Sequence, residues 1–333
     1  MNLAINGIFD FLFAFFTSLL LLPLTYKTLK KLKAKQSILH YVDMHSQKEG
    51  TPTMGGVSFV VGLCISVLLL SFGNFLPIVV CLGVTLLNAL VGFYDDIKKV
   101  KFKHNEGLKP WQKLILQLTI FLLFSIYLYH QGLTIIIIPF VKMTIDVGFW
   151  IVPLCIFIGL FFTNCTNLAD GLDGLESFIG SVVSCCLGVI LLLISHMEVY
   201  DFVKNGELIQ NLGNFSLMLS GAVFSFIFYN SYPAKIFMGD TGSLTIGGAL
   251  VAIAFASGSV LYLLLIGLPF VITGLSVIIQ VAYYKLTKKR IFLMAPLHHH
   301  FEKKGYHESK IVSLYFMATL IFSLLIILLE LII

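Results

Sequence analysis

Long apolar stretches separated by short polar segments dominate the chain. A helix that crosses the hydrocarbon layer of a membrane needs about 20 mainly apolar residues. Ten stretches approach or meet that length, which predicts an all-α polytopic membrane protein with about ten transmembrane helices. The predicted spans are 4–24, 53–73, 77–94, 113–131, 149–166, 177–195, 213–230, 243–258, 260–284 and 311–332.

Two apolar stretches depart from the pattern of a continuous helix. Segment 133–141 is too short to span a membrane, is rich in isoleucine and contains Pro139, which favours a short β hairpin on the extracytoplasmic side. The ninth span contains Gly267, Pro269 and Gly274, which predicts a broken helix. Because no repeat or polar linker divides the chain, we expect a single membrane domain over residues 1–333.

The basic residues are distributed unevenly between the loops, which predicts an orientation. Loops on the cytoplasmic side of membrane proteins carry an excess of Lys and Arg. If the N-terminus lies outside, only Lys142 and Lys204 of the 22 Lys and Arg residues are extracytoplasmic, and the other 20 are cytoplasmic. The pattern therefore predicts an even number of spans with both termini extracytoplasmic.

The composition supports this class of protein. Hydrophobic residues make up 58% of the chain and charged residues 12%, and the mean hydropathy is +0.96. A soluble domain of this composition would expose too much apolar surface to stay in solution. The six cysteines lie within or beside apolar stretches without CxxC spacing, so disulfides and zinc sites are not expected. We also expect no nucleic-acid partner.

The pair Asp95-Asp96 follows an apolar stretch and precedes a run of lysines that includes Lys99 and Lys103. Carboxylates at the C-terminal end of a helix face the negative end of its dipole. We therefore expect a divalent cation or the nearby lysines to compensate their charge. The alternative is an ordinary helix end surrounded by solvated charges.

A second acidic motif, N-x-x-D-G-x-D-G, contains Asn167, Asp170 and Asp173. Its glycines permit tight turns and the close approach of a ligand. The two aspartates could bind hydroxyl groups, the edge of a base or a metal ion. Ordinary Asp-Gly turns are the alternative, although two such turns between apolar spans favour a functional site.

A third motif, F-M-G-D-T-G-S, begins at Phe237 shortly after Asn230 and stands directly before a predicted span. Free backbone N–H groups at the N-terminus of a helix favour the binding of phosphate. Asp240 could bind a metal there, and Phe237 could stack on a flat ring. An N-capping aspartate beside an interfacial phenylalanine is the alternative.

The remaining polar candidates also fall at the inner ends of predicted spans. Lys48 stands beside a segment rich in Gly and Pro, and His298, His299 and His300 are adjacent. Three adjacent histidines cannot all face one ion without a bent backbone, so contact with phosphate fits better than a metal site, and an exposed loop is the alternative. Acids, lysines and histidines on one face predict a Mg²⁺-dependent site for phosphorylated substrates, one of them a lipid.

These motifs closely resemble those of the polyprenyl-phosphate N-acetylhexosamine-1-phosphate transferases. The resemblance runs from about residue 40 to residue 312. That superfamily shares the Asp-Asp pair, the N-x-x-D-G-x-D-G motif and the Gly-Asp element. The runs K-E-G-T-P-T-M-G-G at 48–56 and A-P-L-H-H-H-F-E at 295–302 resemble its muramoyl-pentapeptide branch.

The resemblance implies a specific reaction and location. Phospho-N-acetylmuramoyl-pentapeptide would pass from its UDP conjugate to undecaprenyl phosphate, giving lipid I and UMP, with Mg²⁺ as cofactor. This is the first membrane step of peptidoglycan synthesis, on the cytoplasmic face of the bacterial plasma membrane, and the family implies a homodimer among membrane lipids. The alternative is a sister enzyme that uses UDP-N-acetylglucosamine. A secondary transporter would place its acids near the middle of the bilayer, not at the inner ends of helices.

The resemblance also implies roles for individual residues. Asp240 matches the magnesium ligand, Asp95 a proposed base or nucleophile, and Asp96 its essential neighbour, so the Asp pair also belongs to the candidate metal ligands. The second pKa of the acceptor phosphate is about 6, so a dianionic acceptor needs no base, and we expect Asp95 to position the acceptor or the metal. A covalent aspartyl-phosphate is the open alternative. The substrate-binding candidates are Lys48, Lys99, Lys103, Asn167, Asp170, Asp173, Asn230, Phe237, His298, His299 and His300.

Overall fold

The computed structural model describes residues 2–32, 50–70, 75–102, 107–196 and 206–332, and these form twelve α-helices and one β hairpin. A single turn of 3-10 helix at Gly148–Trp150 precedes α5. The elements are α1 Asn2–Lys31, α2 Gly56–Leu70, α3 Phe75–Phe102, α4 Pro110–His130, β1 Ile135–Ile138, β2 Met143–Asp146, α5 Ile151–Ala169, α6 Leu175–Ile194, α7 Gly206–Asn230, α8 Gly239–Ala256, α9 Val260–Ile266, α10 Leu268–Thr287, α11 Leu297–Lys303 and α12 Glu308–Ile332.

The predicted all-α membrane architecture is confirmed in this part of the chain. Nine of the described helices are long and apolar enough to cross a membrane. The predicted second span, 53–73, corresponds to α2, whose described portion is a shorter apolar helix of 15 residues. The orientation of the helices, with both termini extracytoplasmic, stays a prediction.

The predicted break in the ninth span lies at Gly267, where α9 ends and α10 begins. Pro269 falls in the first turn of α10, where a missing backbone N–H removes no helical hydrogen bond. Gly267 also lies against the ring of Phe162, because a Cβ atom at this position would come within 2.7 Å of that ring. The absence of a side chain at Gly267 thus lets the bend pack against α5.

The predicted hairpin is also present, with its second strand beyond the predicted segment 133–141. Strands β1 and β2 pair antiparallel, with Ile135 opposite Asp146. The backbone N–H of Ile137 donates to the carbonyl of Gly258 at 2.8 Å, which attaches β1 to the turn before α9. Near the end of α12, Glu330 accepts a hydrogen bond from the hydroxyl of Tyr262 at 2.5 Å. These bonds join the hairpin, α9 and α12 at one end of the bundle.

Helix α8 forms the centre of the bundle, and every residue from Thr241 to Ala256 is buried. Small residues in transmembrane helices allow neighbouring backbones to approach closely. Gly248 lies against Asn88 of α3, and Gly247 lies against Thr163 of α5, with no room for a Cβ atom at either glycine. The polar ends of α3, α5 and α8 are thereby brought together.

Two helix boundaries differ from the prediction in a way that affects the site. Helix α3 continues through the lysine run to Phe102, not to residue 94, because lysine is a good helix former and is favourable at a helix C-terminus. Asp95 and Asp96 therefore lie nearly two turns inside α3, so the prediction that they close the helix is wrong. Helix α8 begins at Gly239, which places Asp240 in its first turn.

Candidate active site

Three carboxylates from distant parts of the chain form the centre of the site. Asp95 and Asp96 on α3 and Asp240 on α8 each offer an oxygen, and these three oxygens lie within 4.8 Å of one another. The exposed fractions of Asp95 and Asp96 are 3% and 2%. The two helices can meet because Gly92, one turn before the pair, lies against the carbonyl oxygen of Asp240, where any side chain would collide.

Asp96 binds the N-terminus of α8. Its Oδ1 accepts from the backbone N–H of Asp240 at 3.1 Å. Its Oδ2 accepts from the backbone N–H of Thr241 at 2.9 Å and from the Thr241 hydroxyl at 2.6 Å. A carboxylate at the positive end of a helix dipole is stabilised, so Asp96 attaches α3 to α8 and orients Asp240.

Asp95 is held on both sides. Its Oδ2 lies 2.6 Å from Lys99 Nζ, one turn further along α3. Its Oδ1 accepts from the backbone N–H of Leu108 at 2.6 Å. Gly107 lies so close to this carboxylate that no side chain fits there. Both oxygens of Asp95 are therefore engaged by the protein, which restricts the direction in which either can act.

Two lysines and an amide surround Asp240. Its Oδ2 lies 3.2 Å from Lys99 Nζ and 2.9 Å from Lys113 Nζ. Lys113 also donates to Asn167 Oδ1 at 2.9 Å, and Asn167 Nδ2 donates to Asp240 Oδ1 at 3.0 Å. Sequence reasoning counted Lys113 only as a basic residue of the cytoplasmic side. Like the motif acids, Lys113 lies at the inner end of a predicted span, and this position could have indicated that it belongs to the site.

The residues present suit a divalent cation. The three carboxylates carry one formal negative charge more than the two ammonium groups of Lys99 and Lys113, and carboxylate oxygens are the ligands that Mg²⁺ prefers. Asp95 and Asp240 share one lysine, Lys99, whereas the oxygens of Asp96 bind the N-terminus of α8. The three acids together could hold a metal ion, and which of them bind it stays a prediction.

The second acidic motif forms the turn between α5 and α6. Asp173 Oδ2 accepts from the backbone N–H of Ala234 at 2.9 Å, and its backbone N–H donates to Glu308 of α12. Asp170 is partly buried beside the acidic cluster. Burial, together with the charges of Asp240 and Asp96, raises the pKa of Asp170 well above its ordinary range, although Lys99 opposes this shift. The structure thus brings Asp170 into the electrostatic field of Asp96 and Asp240.

The three adjacent histidines differ in their surroundings. His298 is fully buried and lies against Gly171 of the acidic turn, and neither of its ring nitrogens has a hydrogen-bond partner among the described residues. Burial lowers the pKa of His298 to about 3, so its imidazole is neutral near pH 7. His299 Nδ1 lies 2.5 Å from Glu302 Oε2, and His300 Nδ1 accepts from the backbone N–H of Leu293 at 3.1 Å. Of the three histidines, only His298 lacks a hydrogen-bond partner on both ring nitrogens among the described residues.

The segment between α7 and α8 carries Phe237. Its backbone N–H donates to the carbonyl of Pro52 at 2.8 Å, and its carbonyl accepts from Gly55 at 2.9 Å. Phe237 is partly buried beside this pairing. Asn230 is buried, its Oδ1 accepting from Ser177 at 2.6 Å and its Nδ2 donating to the carbonyl of Ile236 at 3.1 Å. Asn230 thus shapes the turn before Phe237, and contact of either residue with a ligand stays a prediction.

Two further predicted residues, Lys48 and Lys103, lie outside the described part of the chain. Segment 50–56 pairs through its backbone with residues 237 and 238, so the described end of the segment that carries Lys48 lies against the third motif. The contacts of the two lysines with substrate stay predictions.

Comparison with known proteins finds two family patterns in this chain. Residues 78–258 match the family model "Glycosyl transferase family 4", and residues 48–60 match signature 1 of phospho-N-acetylmuramoyl-pentapeptide-transferase. The matched region of the family includes Asp95, Asp96, Asn167 and Asp240. Lys48 is the first residue of the signature.

Curated relatives align over nearly the whole chain. The phospho-N-acetylmuramoyl-pentapeptide-transferase of Clostridium botulinum (strain Alaska E43 / Type E3) is 39% identical over 93% of this chain and 92% of its own length. That of Halalkalibacterium halodurans is 39% identical over 95% of both chains, and that of Staphylococcus haemolyticus is 40% identical over 94% of this chain and 95% of its own length. The chain therefore belongs to glycosyl transferase family 4 and, within it, to the family of phospho-N-acetylmuramoyl-pentapeptide-transferases.

Proposed function

We propose that this multi-pass membrane protein transfers phospho-N-acetylmuramoyl-pentapeptide from its UDP conjugate to undecaprenyl phosphate, giving lipid I and UMP. The observation that carries the proposal is the cluster of Asp95, Asp96 and Asp240 with Lys99 and Lys113 at the polar ends of membrane helices. A site of this kind combines carboxylates for a metal with cations for phosphate. Its location in an apolar bundle suits a lipid acceptor.

The charge balance of this reaction requires no proton transfer. A phosphate oxygen of the lipid attacks the phosphorus that bears the sugar, and the bond from that phosphorus to the oxygen of UMP breaks. One phosphoanhydride is formed and one is lost, so the equilibrium constant should lie near unity. Above pH 6 both the acceptor phosphate and the departing UMP are largely dianionic. The protein must therefore align the two phosphates and offset their repulsion.

Lys99 and Lys113 offset that repulsion in the proposed mechanism, because their ammonium groups lie beside Asp240, where the pyrophosphate would meet the acidic cluster. Asp240 and Asp95 would hold Mg²⁺, which neutralises charge on the pyrophosphate when bound. The two engaged oxygens of Asp95 support a positioning role. A covalent aspartyl-phosphate at Asp95 is the competing mechanism.

The donor nucleotide is assigned to the face of the cluster formed by the second and third motifs. Asn167, Asp170 and Asp173 offer acceptors for the ribose and the base, and Phe237 offers a ring for stacking. Neutral His298 could donate one hydrogen bond and accept another. Lys48 and Lys103 are proposed to join this pocket from outside the described residues.

An apolar groove supports a site for the polyprenyl chain of the acceptor. Its volume is about 790 Å³, and it runs between the hairpin, α5 and both parts of the broken helix. Phe140 lies at the hairpin, Phe157 and Phe161 line it from α5, and Leu268 and Ile278 line it from α10. Because the helix breaks at Gly267, both α9 and α10 contribute to the wall of this groove. We assign the lipid chain of the acceptor to it, with the phosphate directed toward the acidic cluster.

The location and assembly are proposed on separate grounds. The excess of Lys and Arg in the predicted inner loops supports an active site on the cytoplasmic face of the bacterial plasma membrane. The implied homodimer and the implied Mg²⁺ come from the family resemblance, and the donor set of Asp95 and Asp240 supports a hard cation of this type.

A radiochemical assay tests the proposed function. Purified protein is incubated with radiolabelled UDP-N-acetylmuramoyl-pentapeptide and undecaprenyl phosphate, with Mg²⁺ or with a chelator. A labelled lipid product that requires both the acceptor and Mg²⁺ is expected. Formation of product from UDP-N-acetylglucosamine, with none from the muramoyl donor, would instead identify the sister activity.

A further inference from the structure

A second apolar pocket lies between α10, α11 and α12. Its volume is about 340 Å³, less than half that of the groove assigned to the polyprenyl chain. The two cavities use different faces of α10. Leu268, Val271 and Leu275 line the groove, whereas Pro269 and Ile272 line the smaller pocket. The pocket is therefore a separate cavity on the other side of the broken helix.

Apolar side chains line the smaller pocket along its length, and its α11 end, which we call the entrance, carries two aromatic side chains. Ile272, Leu314 and Ala318 line it along α10 and α12, and Phe301 and Tyr306 line it at the α11 end. Because α11 carries His298 beside the acidic turn, this entrance lies on the active-site side of the bundle. An occupant would enter from the leaflet on that side and extend its apolar part along α12.

In the segment that forms the entrance, the acidic side chains are buried and the basic side chains are exposed. Glu302 and Glu308 are buried and bond to His299 and to the backbone N–H of Asp173. The basic side chains of the segment are exposed at the surface, and one of them, Lys310, lies with its Nζ 4.9 Å from the ring centroid of Tyr306. The lysines concerned are Lys303, Lys304 and Lys310.

We propose that this pocket binds one acyl chain of an anionic glycerophospholipid, whose phosphate contacts Lys310 and the neighbouring lysines at the entrance. The positive entrance complements an anionic headgroup, and lysines at a membrane surface attract such lipids. The apolar interior suits a single flexible chain. Because Leu297 and Phe301 of α11 line the pocket and flank the three histidines, a bound lipid would also hold α11 against the acidic turn.

Native mass spectrometry of the delipidated, full-length protein tests this assignment. The protein is titrated with phosphatidylglycerol or with phosphatidylcholine of the same acyl chains. We expect one site whose affinity for phosphatidylglycerol is at least about fivefold higher than its affinity for phosphatidylcholine. Each lysine near the headgroup raises the affinity for an anionic lipid by about fivefold. Equal affinities for the two lipids would overturn the proposal.

Two pairs of variants locate the site. Ala318→Phe fills the pocket and should abolish the tight phosphatidylglycerol site, whereas Ala282→Phe, on an exposed position of α10 that lines neither cavity, should leave it unchanged. Lys310→Gln should weaken phosphatidylglycerol by about fivefold with little effect on phosphatidylcholine, whereas Lys285→Gln should not. Lys310→Gln leaves the apolar interior intact, so it provides a test even if Ala318→Phe fails to fold.

Three results would contradict the assignment. The two phenylalanine variants could lose the lipid equally, or Lys310→Gln could leave the preference for phosphatidylglycerol unchanged. Undecaprenyl phosphate could also displace phosphatidylglycerol from this site and lose its own binding in Ala318→Phe. That third result would identify the acceptor lipid as the occupant.

Discussion

Helix α12 joins two buried acidic regions of very different character. Near its start, Glu308 bonds to the turn that flanks the acidic cluster, and ~33 Å further along, Glu330 accepts hydrogen bonds from Tyr262 and from the backbone of Phe140. At the Glu330 end, a carboxylate joins a hairpin, α9 and α12. At the other end, three carboxylates lie within 4.8 Å of one another, with lysines between them.

The two regions differ in how their carboxylates are arranged, and this difference favours a structural role for Glu330 and supports the proposed functional role of the three aspartates. A single buried carboxylate that accepts hydrogen bonds stabilises the contact between the elements that donate them. Several carboxylates gathered at one place repel one another, and that arrangement is unfavourable unless cations are present. The cost suits a site that binds a metal and phosphates. Burial of a single acid in a membrane helix is therefore weak evidence for a functional site. A cluster of several acids is stronger evidence.

Replacing one acid at each end gives the largest expected contrast. Asp240→Asn should lower turnover by about 10³-fold or more, because it removes a proposed metal ligand and a partner of both lysines, and excess Mg²⁺ should restore part of the loss. Glu330→Gln should keep turnover near normal and lower the free energy of unfolding by about 1–3 kcal/mol. Product formation and thermal unfolding are measured on both variants. Equal losses of turnover in the two variants would contradict the comparison.

Lys113 tests whether the acidic end depends on its cations. Lys113→Met keeps the length of the side chain and removes the ammonium group beside Asp240 and Asn167, so kcat/KM should fall by about 10²-fold. Lys98→Gln is the matched control, because Lys98 lies over the ring of Tyr94. A normal rate in Lys113→Met, measured with saturating Mg²⁺, would remove this lysine from the mechanism.

Asp95 distinguishes positioning from chemical participation. Loss of a general base lowers turnover by roughly 10²- to 10⁴-fold. If Asp95 only positions the acceptor or the metal, Asp95→Asn should lower turnover by less than this. The residual rate should rise as the acceptor loses its second proton around pH 6. A pH profile of the variant tests this, and isolation of phosphorylated Asp95 after incubation with the UDP-sugar alone would establish the covalent mechanism.

Phe237 sharpens the assignment of the donor side. Phe237→Ala should raise the KM for the UDP-sugar, with a loss of roughly 1–3 kcal/mol if the ring stacks on uracil. The KM for the lipid should change little. Phe228→Ala, at an exposed position of α7, is the control. Unchanged nucleotide affinity, measured by titration, would remove Phe237 from the pocket.

The smallest effect concerns the pH dependence of stability at His298. Burial lowers the pKa of His298 to about 3 in the folded protein. Between pH 6.5 and pH 3 the imidazole is therefore protonated in the unfolded chain and neutral in the folded protein. The contribution of neutral His298 is complete above pH 6.5 and is lost as the pH falls toward 3, by at most about 1.4 kcal/mol per pH unit. The change in thermal unfolding between pH 7 and pH 5 should therefore be smaller in His298→Asn than in the wild type. Equal changes would contradict a buried neutral imidazole.

The local features of this protein could be predicted from sequence because each depends on neighbouring residues. Apolar stretches of sufficient length predicted the helices, isoleucines around Pro139 predicted the hairpin, and Gly267 with Pro269 predicted the broken helix. The acidic motifs were recognisable for the same reason. Turn chemistry and hydrophobic periodicity act over a few residues, so they are visible in the chain itself.

The partners of the acids were decided by tertiary structure. Asp96 accepts from α8, 144 residues or more away, and Lys113 reaches Asp240 and Asn167 from α4. The length of α3 also changed the interpretation of Asp95 and Asp96, since a helix that continues to Phe102 removes the dipole argument. These contacts depend on how closely helices approach at glycines such as Gly92. Packing of that kind joins residues distant in the chain, so periodicity and spacing do not reveal it.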